Sequence, residues 1–217
     1  MSSCLSGEND WLLWQLVDSA FPTGGFAHSL GLEAAWQHGE VRQRAELISF
    51  TEANLQQLGH AALPFVMAAY DEPDKIRELD QLCDAFTTNH VANRASRAQG
   101  RAMLSAVERI FKIKIEMPLA HFAPAFGLCL RRLNVSRETT ARMFFFNQLR
   151  SILAAAVRLN IIGPMEAQML QQTLAARAEE ILIRCSTLAI EDIAQTSPLL
   201  DLWQGAQDRL YSRLFQS

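Results

Sequence analysis

The stretch Pro22-Thr-Gly-Gly-Phe-Ala-His-Ser-Leu-Gly-Leu-Glu33 is the part of the sequence around which the fold is organised. Pro22 fixes φ and lacks an amide donor, so a helix before it is expected to stop just ahead of it. Gly24 and Gly25 permit backbone angles that other residues avoid, and they allow a second backbone to approach closely. The pattern predicts a docking corner or a ligand corner that leads into a helix from about Ala27.

Length and composition indicate one globular domain. The 217 residues, 49% hydrophobic and 20% charged, suffice for one large core and are too apolar for a disordered chain. A net charge of −3 argues against nucleic-acid binding. The four cysteines form no C-x-x-C pair, which favours reduced thiols. Since neither a signal peptide nor a long apolar run is found, we expect a cytoplasmic protein without membrane contact.

Apolar residues recur at helical spacing through most of the chain. Asp10 is the expected N-cap of the first helix. Ser136 is the expected N-cap of a helix over residues 138–159, which is apolar nearly all round and is therefore expected at the centre of the fold. Pro124 is expected to interrupt the helix around it. The one strand-like stretch, Lys112-Ile-Lys-Ile-Glu-Met117, has no partner strand, so we interpret it as an extended connector.

These patterns predict an all-α, single-domain helical bundle of about ten helices over residues 1–217. Residues 1–9 are expected to be flexible. Residues 205–217 form an apolar and aromatic tail, which is unusual because chain ends are mostly polar and frayed. The tail is expected either to dock on its own domain or to become ordered on a partner, and we describe it as partner-dependent.

No motif for catalysis, metal binding or nucleotide binding is found. The sequence has no P-loop and no G-x-G-x-x-G turn, its histidines and cysteines are not spaced as metal ligands, and no triad motif is present. A phosphate site after Gly24-Gly25 is disfavoured because no lysine is near. We predict a protein without cofactor, metal or enzymatic activity. The alternative is a helical-bundle enzyme whose site is assembled from scattered histidines and carboxylates.

A row of arginines is the strongest electrostatic feature. Arg94, Arg97 and Arg101 lie at i, i+3 and i+7, so their side chains share one helix face. Residues 89–115 contain six basic residues and one acidic residue, Glu108, which gives a local net charge of 6 − 1 = +5. A solvated face paired with acidic neighbours and a surface for an acidic partner both fit this pattern. Nucleic acid is disfavoured because no aromatic residues alternate with the arginines.

Three separated stretches resemble the urease accessory protein family UreF. They are Phe21 to Glu33, then His121-Phe-Ala-Pro-Ala-Phe-Gly127, and at the end Ser197-Pro-Leu-Leu-Asp201 with Tyr211-Ser-Arg-Leu-Phe215. Their order and spacing are similar to the family pattern over nearly the whole chain. Residues 202–209 depart from it, because many members have a helix with Arg, His and Glu there. Phe26 stands where some members have tyrosine.

The resemblance implies an all-helical, non-enzymatic adaptor that is commonly a homodimer. Such a protein would bind the UreD (UreH) accessory protein, recruit the UreG GTPase and help to deliver nickel to apo-urease. The nickel and the GTP would be held by the partners. A GTPase-activating arginine, such as Arg94 or Arg101, is a further role that the resemblance allows. An orphan dimeric scaffold unrelated to urease is a third class.

We predict that the glycine corner and the tail form one partner-binding surface, with the arginine row as a further contact. The residues expected to bind partners are Pro22, Gly24, Gly25, Phe26, His28, Ser29, Glu33, Arg94, Arg97, Arg101, Tyr211, Arg213, Leu214 and Phe215.

Overall fold

The computed structural model describes residues 9–217, apart from the side chain of Phe26. Within this part of the chain the regular elements are helical and no β-strand is present, which confirms the predicted all-α class. The ten α-helices are α1 (Asp10–Val17), α2 (Leu32–Gln37), α3 (Arg44–Gln57), α4 (Leu63–Asp71), α5 (Ile76–Phe86), α6 (His90–Phe111), α7 (Phe122–Arg132), α8 (Arg137–Arg158), α9 (Pro164–Cys185) and α10 (Pro198–Ala206). None of these helices combines the length and the apolarity needed to cross a membrane.

Helix α1 begins one residue earlier than predicted. Asn9, not Asp10, is the N-cap, and its side chain accepts a hydrogen bond from the Leu12 amide at 3.3 Å. Asp10 lies in the first turn, where its negative charge interacts favourably with the helix dipole. Residues 1–8, most of the segment expected to be flexible, lie outside the described residues.

Helix α8 lies at the centre of the fold, as its nearly all-round apolar surface predicts. Ser136 caps α8 by accepting a hydrogen bond from the Thr139 amide at 3.1 Å. Phe144, Leu149 and Ile152 are buried along its length. Helices α2, α3, α4, α7 and α9 all contact α8, so the core is built around it.

Pro124 does not interrupt its helix, contrary to the prediction. It lies in the first turn of α7, where the amide that proline lacks would have no intrahelical acceptor. The start of α7 is held instead by Asp80, which is fully buried. The Asp80 carboxylate accepts hydrogen bonds from the amides of Leu119, Ala120 and His121, at 2.8, 3.0 and 2.9 Å.

Glycine permits close backbone contact in this fold, but not at the predicted positions. Gly24 has open space around it, and a Cβ added at Gly25 would meet only Ser151 Oγ at 3.6 Å. A Cβ at Gly127 in α7 would lie 2.0 Å from the Val66 carbonyl oxygen of α4. A Cβ at Gly100 in α6 would lie 1.9 Å from the carbonyl oxygen of Ala120. These two positions therefore set the spacing of α4, α6 and α7.

The stretch predicted to be an extended connector, residues 112–117, lies between α6 and α7 and belongs to no helix or strand. Lys112 has a φ of 61° and ends α6 in the left-handed conformation. Ile113 and Ile115 are half-buried against the core, whereas Lys114 and Glu116 are exposed. Exposure thus alternates with period two, which is the period of an extended chain.

Replacing Gly127 with alanine should destabilise the fold by about 1–3 kcal/mol, because the new methyl group overlaps the Val66 carbonyl and forces α4 and α7 apart. The free energy of unfolding is measured by urea titration followed by helical circular dichroism. Gly205→Ala is the matched control, since its Cβ has an ordinary contact distance of 3.6 Å to Asn89 Nδ2. Equal unfolding midpoints for the two variants would contradict the proposed overlap.

Candidate partner-binding surface

The corner is built from left-handed residues that turn the chain back on itself. Gly24 has a φ of 74° and precedes a short 3₁₀ turn, in which the Ala27 amide donates to the Gly24 carbonyl at 3.0 Å. Leu30 and Gly31 then have φ values of 58° and 86°. A Cβ at Gly31 would lie 3.1 Å from the Gln204 amide nitrogen, so α10 approaches the corner here. The corner thus turns the chain at Gly24 and receives α10 at Gly31.

Glu33, in the first turn of α2, is the buried hub of this region. Only 1% of its surface is exposed. Its carboxylate accepts hydrogen bonds from the amides of Leu214 and Phe215, at 2.6 and 3.1 Å, and from Gln207 Nε2 at 2.6 Å. A buried carboxylate needs such donors to offset its lost hydration. Glu33 therefore fixes the backbone of residues 214–215 on the domain.

The tail segment, residues 210–217, docks on its own chain. The Gln216 amide donates to the Ala27 carbonyl at 2.7 Å, and the Ser29 amide donates to the Ser217 carbonyl. His28 Nδ1 lies 2.5 Å from Ser217 Oγ. The corner and the tail segment are therefore directly adjacent, while their binding to a partner stays a prediction.

An aromatic contact also anchors the tail segment. Phe215 is buried, and the Arg158 guanidinium lies 4.1 Å from the centre of its ring. A cation at this distance over an aromatic face is attracted by the ring quadrupole. Helix α8 thus also holds the tail segment, through Arg158.

The three arginines of the row differ in whether they have an acidic partner. Arg94 binds Asp208 with both terminal nitrogens, at 3.1 and 2.8 Å, and Arg213 binds the same carboxylate at 3.2 Å. Arg97 lies 4.0 Å from Asp84. Arg101 is exposed and has no ion pair among the described residues. Two of the three arginines are thus paired with acidic neighbours, and only Arg101 fits an open surface for an acidic partner.

Four of the predicted contact residues are enclosed within the chain. His28, Ser29, Glu33 and Phe215 are each at most 5% exposed, because the tail segment covers the first three and Arg158 covers the last. Their side chains shape the surface without reaching solvent. The exposed members are Pro22, Gly24, Arg94, Arg101, Tyr211, Arg213 and Leu214, with Gly25 and Arg97 partly exposed. The side chain of Phe26 lies outside the described part of the structure.

Sequence reasoning missed Gln207 and Asp208, which join the tail segment to the domain. Gln207 is fully buried and donates to Glu33, and Asp208 binds Arg94 and Arg213. One signal was available for Asp208, because it is the only acidic residue from 202 to 217 and is accompanied by Arg209 and Arg213. No comparable signal marks Gln207, since its partner is 174 residues away.

Two cavities bear on the alternative of a helical-bundle enzyme. The first, of about 180 Å³, lies under the corner and contains His28 but no carboxylate in its lining. The second, of about 200 Å³, contains Asp201 but no histidine. Burial raises the pKa of Asp201 above its ordinary value. Neither cavity unites a histidine with an acid, and residues 9–217 contain no group of three metal-binding side chains.

The Ser96, His121 and Asp84 side chains are connected in the order of a catalytic triad. His121 lies 3.1 Å from Ser96 Oγ and 2.9 Å from Asp84 Oδ1. The imidazole is fully buried, however, and Ser96 Oγ also accepts a hydrogen bond from the Phe122 amide at 3.1 Å. Hydrogen bonds from Asn93 and His121 hold the pKa of Asp84 below its ordinary value. This cluster fastens the start of α7 to α5 and α6.

Comparison with known proteins gives the family. The UreF family model matches residues 41–175, which is more than half of the chain. The chain belongs to the UreF family. Urease accessory protein F of Oryza sativa subsp. indica is 41% identical over 219 residues, covering 94% of this chain and 84% of that protein. Urease accessory protein F of Arabidopsis thaliana is 39% identical over 230 residues, covering 100% of this chain and 94% of that protein.

More distant UreF proteins extend the likeness to bacteria. Urease accessory protein UreF of Bacillus sp. (strain TB-90) is 26% identical over 226 residues, covering 94% of this chain and 97% of that protein. The part of this chain that the family model matches contains only the middle one of the three motif stretches, residues 121–127. The Arabidopsis alignment covers the whole chain and so includes the corner and the tail segment.

Replacing Glu33 with glutamine should release the tail segment. The amide nitrogen of glutamine would replace one carboxylate oxygen, so it would face either the Leu214 amide or the Phe215 amide and Gln207 Nε2 as donor against donor. We expect a loss of about 1–3 kcal/mol in the free energy of unfolding. Hydrogen exchange of the amides at 214 and 215 should become faster. Glu40→Gln, an exposed site, is the matched control. Unchanged exchange at these two amides would show that the carboxylate does not hold the tail segment.

The stability of the domain should depend on pH through His28. Burial, with a smaller contribution from the charge of Arg94, lowers the pKa of His28 from 6.5 to about 4. Between these values the unfolded chain binds a proton that the folded chain does not, so the free energy of unfolding falls as the pH is lowered through this window. The total effect is about 3 kcal/mol.

The His28→Gln variant should lose this part of the pH dependence, because glutamine does not titrate. Urea unfolding of both proteins at a series of pH values between 7.5 and about 4.5 measures the difference, over the window set by the two pKa values. Parallel curves for the wild type and the variant would contradict a lowered pKa at His28.

Proposed function

We propose that this protein is an adaptor in urease maturation that binds the UreD (UreH) accessory protein and recruits the UreG GTPase for nickel insertion into apo-urease. The observation that supports this most is the likeness to urease accessory proteins F over nearly the whole chain. An adaptor works through surfaces on a stable body, and the exposed residues of the corner and the tail segment offer such a surface.

The corner and the tail segment are the proposed contact with UreD. Tyr211 is fully exposed and Leu214 is 58% exposed, next to backbone that Glu33 holds in place. Large apolar side chains on a fixed backbone bind well because little conformational entropy is lost on association. Pro22, Gly24 and Gly25 belong to the corner, to which the tail segment is hydrogen-bonded at Ala27 and Ser29.

The arginine row is the proposed contact with UreG. Arg101 is exposed, and Arg94 and Arg213 share the Asp208 carboxylate. Positive charge of this kind steers an acidic partner and sets its orientation. A partner carboxylate could also compete with Asp208 for Arg94, which would couple this contact to the tail segment.

We further propose that the adaptor is a homodimer that acts in the cytoplasm. Helix α9 supports self-association, since Met165, Met169 and Ile183 are each more than half exposed on it. Exposed apolar side chains along one helix favour packing against another chain. The cytoplasm accords with Cys83, Cys129 and Cys185, which are free thiols in the described structure.

Leu214→Asp and Tyr211→Ala should each weaken binding to UreD by about tenfold or more, because central apolar contacts dominate the affinity of an interface. Both side chains are exposed, so the helical circular dichroism should stay as in the wild type. The affinities are measured by calorimetry with purified UreD. Leu82→Asp on α5 is the matched control, since that side chain is 40% exposed and lies outside the surface.

Two outcomes separate the parts of this proposal. If the wild-type chain binds neither UreD nor a UreD–UreG mixture, the adaptor function is wrong. If the wild type binds and both tail variants bind equally well, the function stands and the corner and tail are not the contact.

A further inference from the structure

The cavity under the corner lies between the two glycines of the corner and the central helix. Its volume is about 180 Å³, and Gly24, Gly25 and Ser151 of α8 are part of its lining. A Cβ at Gly25 would lie 3.6 Å from Ser151 Oγ, and Gly24 has open space around it. A longer side chain at Gly25 would therefore compete for the space next to Ser151. The glycines of the corner leave this space open.

One polar atom of a residue in this lining has no hydrogen-bond partner. Asn147 Oδ1 is buried, and no donor reaches it within the described part of the chain. An amide oxygen that loses its hydration without gaining a donor lowers the stability of the fold. Asn147, Arg150, Ser151 and Ala154 lie at i, i+3, i+4 and i+7 on α8, so they share one face of this helix. A ligand that carries a donor would satisfy the oxygen.

The charge of the lining favours an anion. Its charged side chains are Arg150 and Arg158, and no carboxylate is among them, so the net charge is +2. His28 adds no charge at neutral pH, because burial lowers its pKa to about 4. Burial also lowers the pKa of Arg150, and the charge of Asp18, which lies outside the lining, opposes this shift only in part. A negative group in the cavity would stabilise this guanidinium, and a cation would destabilise it.

Arg150 retains donors for a ligand. Its guanidinium donates a hydrogen bond to the Val17 carbonyl and lies 5.6 Å from the centre of the Phe146 ring. A guanidinium has several N–H groups and can bind a carboxylate with two of them at once. The bond to Val17 therefore leaves N–H groups of Arg150 available.

The rest of the lining suits an aromatic ring. It contains apolar side chains from the corner, from α7, from α8 and from the tail segment, namely Phe21, Phe122, Phe144, Ala154, Ala155 and Phe215. An apolar cavity of about 150 Å³ is enough to hold a benzene molecule. The cavity here, of about 180 Å³, therefore has room for one ring with small polar substituents.

We propose that this cavity binds a small aromatic carboxylate that also carries a hydroxyl or amino group. The carboxylate binds Arg150, the hydroxyl or amino group donates to Asn147 Oδ1, and the ring packs against the apolar lining. Such a ligand supplies the donor that Asn147 lacks and the negative charge that the lining lacks. The site does not depend on a role in urease maturation.

The test uses the full chain and 4-hydroxybenzoate, which has a carboxylate and a hydroxyl group at opposite ends of one ring. Calorimetry should show saturable binding with a Kd below about 1 mM. The cation 4-hydroxybenzamidine has nearly the same shape and should bind at least about tenfold more weakly because its charge is wrong. Benzoate has no hydroxyl group to donate to Asn147 Oδ1, and it should bind more weakly by a factor of about ten.

Asn147→Leu separates ligand binding from a role in folding. Leucine is similar in size to asparagine and removes the unpaired oxygen, so the urea midpoint of unfolding should not fall. The affinity for 4-hydroxybenzoate should fall about tenfold. Benzoate should bind the variant and the wild type equally well, because it makes no bond to this atom. A lower urea midpoint would show that Asn147 is bonded within the fold and would contradict the proposal.

Arg150→Gln tests the charge. It should weaken the binding of 4-hydroxybenzoate by at least about tenfold and leave that of neutral 4-hydroxybenzamide nearly unchanged, because only the anion pairs with the guanidinium. Arg132→Gln is the matched control, since this exposed arginine of α7 does not line the cavity. Equal weakening of both ligands would contradict the charge pairing. Should Arg150→Gln lose its helical circular dichroism, Asn147→Leu and the benzamidine comparison still decide the question.

Ser151→Leu locates the site. Its side chain fills part of the cavity without changing the charge, so it should lower the affinity for 4-hydroxybenzoate by about tenfold. Ser105→Leu is the matched control, because this exposed serine of α6 lies outside the lining. Undiminished binding to the Ser151 variant would place the ligand elsewhere.

Two further results would overturn the proposal. The absence of saturable binding of 4-hydroxybenzoate would show that the cavity holds water alone. Equal binding of 4-hydroxybenzamidine would exclude an anion as the preferred ligand. Both results are separate from the adaptor function, because a chain that binds UreD but no aromatic carboxylate contradicts only this inference.

Discussion

A carboxylate inside a protein is tolerated only if hydrogen-bond donors offset the hydration that it loses, and two such groups determine how this chain is held together. Glu33 meets the requirement with the amides of Leu214 and Phe215 and the side chain of Gln207. Asp80 meets it with three successive amides ahead of α7. Each carboxylate binds backbone and no cation, so each fixes a non-helical segment onto the helical body. The corner and the tail segment depend on the first of them.

Different interactions hold the helical bundle together and fix the tail segment onto it. At Gly100 and Gly127 the backbones of α6 and α7 meet neighbouring carbonyl groups with no room for a methyl group, so these helices have one possible separation. The tail segment is held by a few hydrogen bonds and by Phe215 under Arg158. Local stability is therefore expected to be highest around α7 and lowest at the tail segment.

Much of the fold could be predicted because the signals are local. Ser136 is followed by a long apolar helix, and this pattern gave both the start and the central place of α8. Pro124 was misjudged because proline is tolerated in a first turn, and the sequence alone did not show that α7 begins at Phe122. Gly127 went unnoticed because the group that excludes a side chain there is a carbonyl on another helix. Local patterns do not report such long-range contacts.

The candidate surface was predictable in outline but not in its exposure. The corner and the tail segment were expected to form one surface, and they are adjacent. A glutamate on a helix is nevertheless usually exposed to solvent. The amides that make the burial of Glu33 possible are 181 and 182 residues away in the sequence. Arg94 stays exposed, but its partner Asp208 is 114 residues away and is equally invisible to local patterns. Which charged residues are buried or paired is decided by such distant contacts.

The placement of the tryptophans has an optical consequence. All four, Trp11, Trp14, Trp36 and Trp203, lie outside the fully buried core. Trp36 and Trp203 belong to α2 and α10, the two helices next to the tail segment, and the Trp203 ring lies 5.5 Å from that of His38. The intrinsic ultraviolet emission of this protein therefore samples its surface more than its core. A change in the emission of Trp36 or Trp203 marks an event beside the tail segment even while the helical body stays intact.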